Sequence, residues 1–182
     1  KTIVAQGQTY FAIQTRIAEV QQMKTYQQLT SEEEKRLFLR TELQNHNSKL
    51  AGVAKIVGVI DKKDYAIFQN YGYQGLYGGL GAKEIHNRKG LKKSQKILDH
   101  MGSTELAANL FRATQTEEKL RKEHIMGKER ANLTHYEVGV KVRQTIKEIG
   151  GSMPEDLPVA ESIKSLERKK LKLMKSQSQN ED

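Results

Sequence analysis

The feature that most constrains this fold is a long stretch without proline. The two prolines, Pro154 and Pro158, lie near the C-terminus, so the first 153 residues contain none of the residue that breaks helices. Apolar residues in this stretch recur at spacings of three, four and seven, which is the period of amphipathic helices. No segment alternates as a strand would. The sequence therefore predicts an all-α fold.

Two long helices are predicted first. In residues 3–28 one side of the predicted helix carries Tyr10, Ile13, Ile17 and Val20, with Lys24 at the next position of the same spacing. A capping box, formed by Thr30 with Glu33 or by Ser31 with Glu34, predicts the start of a second helix that continues to about residue 57. The apolar seam of this second helix consists of Leu39, Leu43, Leu50 and Val57. Because the break between the helices is short, we expect an antiparallel hairpin, which also offers a surface for a homodimer.

A glycine-rich stretch follows a short predicted helix over residues 62–70. Its glycines are Gly72, Gly75, Gly78, Gly79 and Gly81. A dinucleotide fingerprint is excluded because Glu84 stands where its third glycine belongs, and no Gly-Lys-Ser/Thr of a P-loop is present. The G-x-x-G of residues 75–78 lacks the βαα setting of a KH loop. We therefore predict a sharp corner, where glycines permit positive φ and close approach of helices.

Three tyrosines stand among these glycines: Tyr71, Tyr73 and Tyr77. Two interpretations are open. The rings form the wall of the corner with their hydroxyls at its rim, or their faces stack on unpaired bases. The first interpretation is favoured, because a corner between helices needs apolar packing.

A basic segment comes next, and residues 82–100 carry six positive and two negative side chains. The six are Lys83, Arg88, Lys89, Lys92, Lys93 and Lys96. A predicted helix over residues 91–100 places Lys92 and Lys96 on one face. Such a cluster is typical of a solvated helix face or of a surface that neutralises phosphates. We predict that it binds nucleic acid, single-stranded DNA in preference to duplex. A rival basic cluster spans residues 164–175.

The remainder of the chain reads as further helices. The helix predicted over residues 105–123 has an apolar face made of Leu106, Ala107, Leu110, Phe111 and Ala113. Its other positions, Asn109, Arg112, Gln115 and Thr116, are expected to lie away from the core. Residues 124–133 are predicted to be irregular, and a capping box over residues 134–137 predicts the next helix start.

Three units follow from these elements. Residues 1–60 are predicted to form the long helical hairpin, residues 61–158 a compact group of shorter helices, and residues 159–182 a flexible basic tail. The formal net charge of +9 favours a polyanionic partner for these units.

Composition and spacing argue against several other classes. Without cysteine there is no disulfide or thiolate metal site, and the five histidines show no metal-ligand spacing. We therefore predict no enzyme, no cofactor and no metal. No apolar run approaches the length that spans a bilayer and no secretory signal is visible, so we expect a cytoplasmic, nucleoid-associated protein without a membrane partner.

Four runs of this sequence carry a resemblance to a known family. They are VAQGQTYFAIQTR (residues 4–16), EEKRLFLR (33–40), the stretch from AIFQNYGYQGLYGGLG to TEEKLR (66–121) and VGVKVRQTIKEIGGSMPEDLP (138–158). Together they resemble the bacterial DNA-damage-inducible protein D family, over nearly the whole chain except the last two dozen residues and a weaker patch at 50–64.

The resemblance implies a protein of the SOS response that acts on filaments of RecA-type recombinase on single-stranded DNA, without catalysing a reaction. It also implies an N-terminal BRO-type module, and we interpret this chain, which starts at Lys1 within a helical pattern, as a fragment without that module. Two rival functions remain: a protein-interaction or dimerisation scaffold with no direct DNA contact by this chain, and a nuclease.

Overall fold

The computed structural model describes residue 29 and residues 31–178, with side chains up to residue 172. This part of the chain is helical and contains no β-strand, which confirms the all-α prediction. Its α-helices are α1 (Glu32–Ile56), α2 (Lys62–Leu76), α3 (Ala82–Arg88), α4 (Ser103–Lys122), α5 (Lys128–Glu148) and α6 (Ile163–Ser178). Two 3₁₀ helices, Ile97–His100 and Pro154–Asp156, complete the described elements. Residues 3–28 lie outside them, so the hairpin and its homodimer stay predictions.

The start of α1 confirms the predicted capping box. The Ser31 hydroxyl accepts a hydrogen bond from the Glu34 amide at 3.1 Å, and the Ser31 amide donates to the Glu34 carboxylate at 3.4 Å. These bonds satisfy amide donors that the first turn of a helix leaves unpaired. All four seam residues are buried: Leu39, Leu43, Leu50 and Val57.

The helices pack as two pairs joined through α4. The α2 helix packs along α5, α1 packs along α4, and α4 also packs on α5. One apolar core runs through this arrangement and includes the fully buried Leu43, Phe68 and Leu106. The α6 helix adds the buried Ile163 and Leu166. The predicted division into three units and the flexibility of the tail stay predictions.

The predicted glycine turn is wrong in its first half. The α2 helix does not end at residue 70 but continues to Leu76, with Gly72 and Gly75 inside it. Only Gly78 and Gly79, with φ of 62° and 99°, form the turn in the left-handed region that favours glycine. The earlier glycines serve the packing of one helix on another.

That packing brings the backbones of α2 and α5 together. A Cβ atom on Gly139 would lie 2.8 Å from both the Gly72 carbonyl oxygen and the Leu76 amide nitrogen. A Cβ atom on Gly75 would collide with the carbonyl oxygen of Tyr136. Since backbone atoms cannot move aside as a flexible side chain can, this separation between the helices requires glycine at both positions.

The predicted helix over residues 91–100 is also wrong. Residues 91–96 form an irregular loop, and only Ile97–His100 makes a short 3₁₀ helix. The His86 ring nitrogen Nε2 bonds the carbonyl oxygens of Lys92 and Gln95 at 3.2 and 3.1 Å, and the Gln95 side chain accepts from the Lys92 amide at 2.7 Å. The side chains of His86 and Gln95 thus bond backbone groups of the loop that would otherwise bond each other within a helix.

The α5 helix begins earlier in the chain than the sequence predicts. Residues 124–133 were predicted to be irregular, yet α5 begins at Lys128, six residues before the predicted capping box. Gly127, with φ of 90°, precedes the helix and donates its amide to the Val57 carbonyl at 2.8 Å. Ala131 is fully buried in the first turns. Tertiary packing therefore overrides the local capping signal, and the Thr134 hydroxyl instead donates to the Arg130 carbonyl at 2.8 Å.

The α2–α5 contact generates a stability prediction. We expect Gly139→Ala to lower the free energy of unfolding by about 2 kcal/mol, because the added methyl group forces two backbones apart. Urea denaturation measures the change.

A matched control lies in α1. Gly52 has nothing within 4 Å of a would-be Cβ atom, so Gly52→Ala should raise the free energy of unfolding by about 0.5–1 kcal/mol. A stabilising effect of Gly139→Ala would contradict the close approach of the helices.

Candidate nucleic-acid interface

Four of the six predicted basic residues are exposed and have no ion-pair partner among the described residues. They are Lys83 on α3 and Lys92, Lys93 and Lys96 in the loop that follows it. We call these four residues the lysine surface. Because no nearby carboxylate neutralises them, their charges face solvent and remain available to a polyanion.

A shallow depression adjoins the lysine surface. Lys83 and Lys96 line it, together with His86 of α3 and Arg40 of α1. The ring of Tyr73 contributes to its wall although only 8% of that residue is exposed. The depression thus brings together cationic groups from α1, α3 and the loop. Sequence reasoning missed Arg40, since nothing local connects it to residues 83–96.

Arg88, a fifth predicted basic residue, is engaged in an ion pair, and Arg143, which was not predicted, holds the same acidic segment. Arg88 donates to the Asp156 carboxylate and to the Glu155 carbonyl, each at 2.9 Å. Its side chain stays half exposed, and this contact fixes α3 against the second 3₁₀ helix. Arg143 donates two hydrogen bonds to the Glu155 carboxylate, at 2.8 and 2.7 Å, which lowers the pKa of Glu155 despite its partial burial.

Lys89 is buried, which removes it from the predicted phosphate contacts. Its ammonium group donates to the Glu105 carboxylate at 2.8 Å, and the two side chains are only 6% and 0% exposed. Burial raises the pKa of Glu105, while the Lys89 ammonium and the Tyr77 hydroxyl oppose that rise. The pair joins the end of α3 to the first turn of α4.

The ion pair is one end of a buried chain of polar contacts. Tyr77 donates its hydroxyl to Glu105 at 2.8 Å and accepts from the Asn109 amide at 2.9 Å. Burial raises the pKa of Tyr77 well above its ordinary value, and the Glu105 charge adds to the rise. The Asn109 oxygen then accepts from Arg112 at 3.2 Å.

Arg112 and His135 form the other end of this chain. Arg112 donates to His135 Nε2, and His135 Nδ1 donates to the Phe68 carbonyl at 3.0 Å. Burial, and then the nearby guanidinium charge, lower the pKa of His135 well below its ordinary value, so the ring is neutral. A Cβ atom on Gly72 would collide with both groups, so glycine there makes room for them.

Two arginines of α1 hold the segment behind the lysine surface. Arg40 pairs with the Asp99 carboxylate at 2.9 Å, and the buried Arg36 donates to the carbonyl of Met101 at 2.9 Å and to that of Asp99 at 3.4 Å. Arg36 also donates to the Glu161 carbonyl. These bonds hold in place the backbone of residues 99–101, which follows shortly after Lys96 in the chain.

The three tyrosines separate into two groups. Tyr73 and Tyr77 are 8% and 1% exposed and pack at the corner, so in this structure neither ring offers a face to a base. Arg112 lies over the Tyr73 ring, 4.8 Å from its centroid. Tyr71 is 38% exposed but lies about 200° around α2 from Tyr73, away from the depression.

Sequence reasoning also missed the buried polar residues. Asn109, Arg112 and Thr116 were predicted to lie away from the core but are almost completely buried. One signal was present: Glu105, Asn109, Arg112 and Thr116 follow a spacing of four, three and four, which is a helical stripe. A polar stripe is ordinarily solvated, and only the partners from α2, α3 and α5 make this one a buried face.

The described residues contain neither a metal-binding cluster nor a membrane-spanning helix. No three His, Asp or Glu side chains of this part of the chain are placed to hold a metal ion. Within the same part, no helix is long and apolar enough to cross a membrane.

The buried ion pair generates a double-variant prediction. We expect Lys89→Met to lower the free energy of unfolding by about 3–5 kcal/mol, because it leaves the Glu105 charge buried without a cation. The double variant Lys89→Met/Glu105→Gln should recover most of that loss. Equal losses in the single and double variants, measured by urea denaturation, would show that packing rather than charge determines the effect.

The neutral state of His135 generates a pH prediction. Its pKa is lowered by folding, so the unfolded chain binds the extra proton, and stability is lost as the pH falls below about 6.5. We expect the contribution of His135 to decline by up to about 1.4 kcal/mol per pH unit in that range. His135→Gln should remove this part of the pH slope between pH 7 and 5. An unchanged slope would contradict a neutral buried ring.

Comparison with known proteins confirms the resemblance noted in the sequence. The DinD C-terminal domain family matches residues 29–166. The DNA damage-inducible protein D of Escherichia coli (strain K12) is 64% identical over 168 residues, which are 92% of this chain and 61% of that protein. No solved structure matches the chain. Since the family match covers most of its residues, the chain belongs to the DinD C-terminal domain family.

Proposed function

We propose that this chain is a non-enzymatic part of the bacterial response to DNA damage and that it binds single-stranded DNA through the lysine surface. The relative that supports the biological role is named for induction by DNA damage. The observation that carries the DNA contact is structural: four exposed lysines have no ion-pair partner in the described chain, and two of them, Lys83 and Lys96, line one depression. Such a protein acts in the cytoplasm, at the nucleoid.

The proposed mechanism is electrostatic. Lysine ammonium groups neutralise phosphates and release counterions from the strand, so affinity falls steeply as salt concentration rises. Arg40 also lines the depression beside Lys96, but its guanidinium pairs with Asp99, so the net positive charge there comes from the lysines. The buried Tyr73 and Tyr77 do not stack on bases in this mechanism. Binding therefore depends on the backbone of the strand and shows little sequence preference.

A triple substitution tests this proposal. Lys92→Gln/Lys93→Gln/Lys96→Gln should weaken binding of a fluorescein-labelled single strand by at least about tenfold at low salt, and should reduce the slope of log affinity against log salt by about 2. Fluorescence anisotropy measures both quantities. The fold should persist, because none of these ammonium groups pairs with a carboxylate of the described residues.

The control carries the same change of charge elsewhere. Lys55, Lys62 and Lys63 are exposed, and Lys55 lies about 22 Å along α1 from Arg40. Lys55→Gln/Lys62→Gln/Lys63→Gln should leave affinity within about twofold of the unaltered chain, since long-range charge effects are screened. Equal losses from the two triple variants would leave only a nonspecific effect of net charge and would overturn the proposal.

The second candidate function is a protein-interaction scaffold. It is favoured by exposed apolar side chains on both sides of the α2–α5 contact: Ile67, Tyr71, Leu133, Tyr136 and Val140. The family resemblance names the partner to test, a RecA-type recombinase filament on single-stranded DNA. If Lys92→Gln/Lys93→Gln/Lys96→Gln no longer binds naked DNA but still binds the filament, the scaffold function is supported. Loss of both activities favours contact through the DNA.

A further inference from the structure

We propose that the lysine surface continues onto the outer side of α6, so that one single strand of nucleic acid contacts both. This inference rests on the proposed function and extends it to a second segment, some 70 residues later in the sequence. Two observations support it: the arrangement of charge on α6, and the hydrogen bonds that join the segment before α6 to the segment after the loop.

The outer side of α6 is a stripe of cations. Lys164, Arg168 and Lys172 are spaced by four residues, so they share one side of the helix. The buried Ile163 and Leu166 lie on the opposite side, against the core. All three cations are exposed, and none has an ion-pair partner among the residues that the structure describes. We call these three residues the α6 stripe.

Hydrogen bonds fix the start of α6 beside the end of the loop. The Ala160 amide donates to the His100 carbonyl at 3.0 Å, and His100 Nδ1 bonds the Ala160 carbonyl oxygen at 3.1 Å. Arg36 bridges the same place, since its guanidinium donates to the carbonyls of both Asp99 and Glu161. His100, Asp99 and Arg36 are buried, so this connection belongs to the packed structure.

The two basic surfaces are therefore close. Lys96 precedes Asp99 by three residues, and Lys164 follows Glu161 by three residues. Three residues of even fully extended chain span at most about 11 Å, so the two arms together add at most about 22 Å to the gap that Arg36 bridges. A strand that leaves the loop at Lys96 thus meets the α6 stripe within a few nucleotides.

The acids between the surfaces are already neutralised. Asp99 pairs with Arg40 at 2.9 Å, and Glu161 pairs with Lys169 at 2.9 Å. The remaining acid on this part of α6, Glu167, lies about 60° around the helix from Lys164 and about 100° from Arg168, at the edge of the stripe. The two acids nearest the junction of the surfaces, Asp99 and Glu161, therefore carry little net charge that would repel phosphate.

Strand length distinguishes one continuous track from two separate sites. The full 182-residue chain is titrated with single strands of roughly 5 and roughly 30 nucleotides, near the lower limit and beyond the upper limit of common single-strand site sizes. Lys164→Gln/Arg168→Gln/Lys172→Gln should weaken binding of the long strand about tenfold and that of the short strand by less than about twofold. Lys92→Gln/Lys93→Gln/Lys96→Gln should weaken both, and Lys55→Gln/Lys62→Gln/Lys63→Gln neither.

Each contrary result has one meaning. If the α6 variant binds the long strand like the unaltered chain while the loop variant is weakened, the inference fails and the proposed function stands. If only the α6 variant is weakened, both fail, because the loop is then not a binding site. If the α6 variant lowers the number of long strands bound per chain without changing affinity, the surfaces are independent sites and the continuous track is overturned.

Discussion

The close approach of α2 to α5 is the constraint on which the other features depend. Gly75 and Gly139 bring backbone against backbone, and Gly72 leaves the volume that Arg112 and His135 occupy. The two helices run in the same direction, since Asp64 near the start of α2 pairs with Lys128 at the start of α5, and the Leu76 carbonyl at the end of α2 accepts from Arg143. This packing fixes where α2 ends, and therefore where α3 and the loop begin.

Buried cations and exposed cations have different roles in this structure. The side chains of Lys89 and Arg112 are buried. Lys89 donates a hydrogen bond to Glu105, and Arg112 donates to Asn109 and His135, so these bonds connect helices across the core. An unpaired charge in such a place costs several kcal/mol, which makes each partner essential to the others. The four exposed lysines of the lysine surface have no such partners in the described chain, and this difference is the physical basis of the proposed DNA contact.

The same reasoning joins segments that are distant in the sequence. Arg36 and His100 bind the backbone at residues 160–161, which places the first turn of α6 beside the end of the basic loop. Clusters that appear as rivals in the sequence thereby become neighbours in the fold. The proposed track from the loop to α6 suits an extended strand better than a compact ligand, because it joins two segments rather than converging on one point.

The sequence by itself determined the helical class, the capping box of α1 and its buried seam, because these depend on local periodicity and on capping. Only the tertiary structure decided which glycines form a turn and which allow two helices to pack closely, because glycines with these two roles look alike in the sequence. It also decided that Lys89, Arg112 and His135 are buried and that α5 begins at Lys128. Those outcomes depend on partners far along the chain, whose contacts outweigh the local preference of each residue.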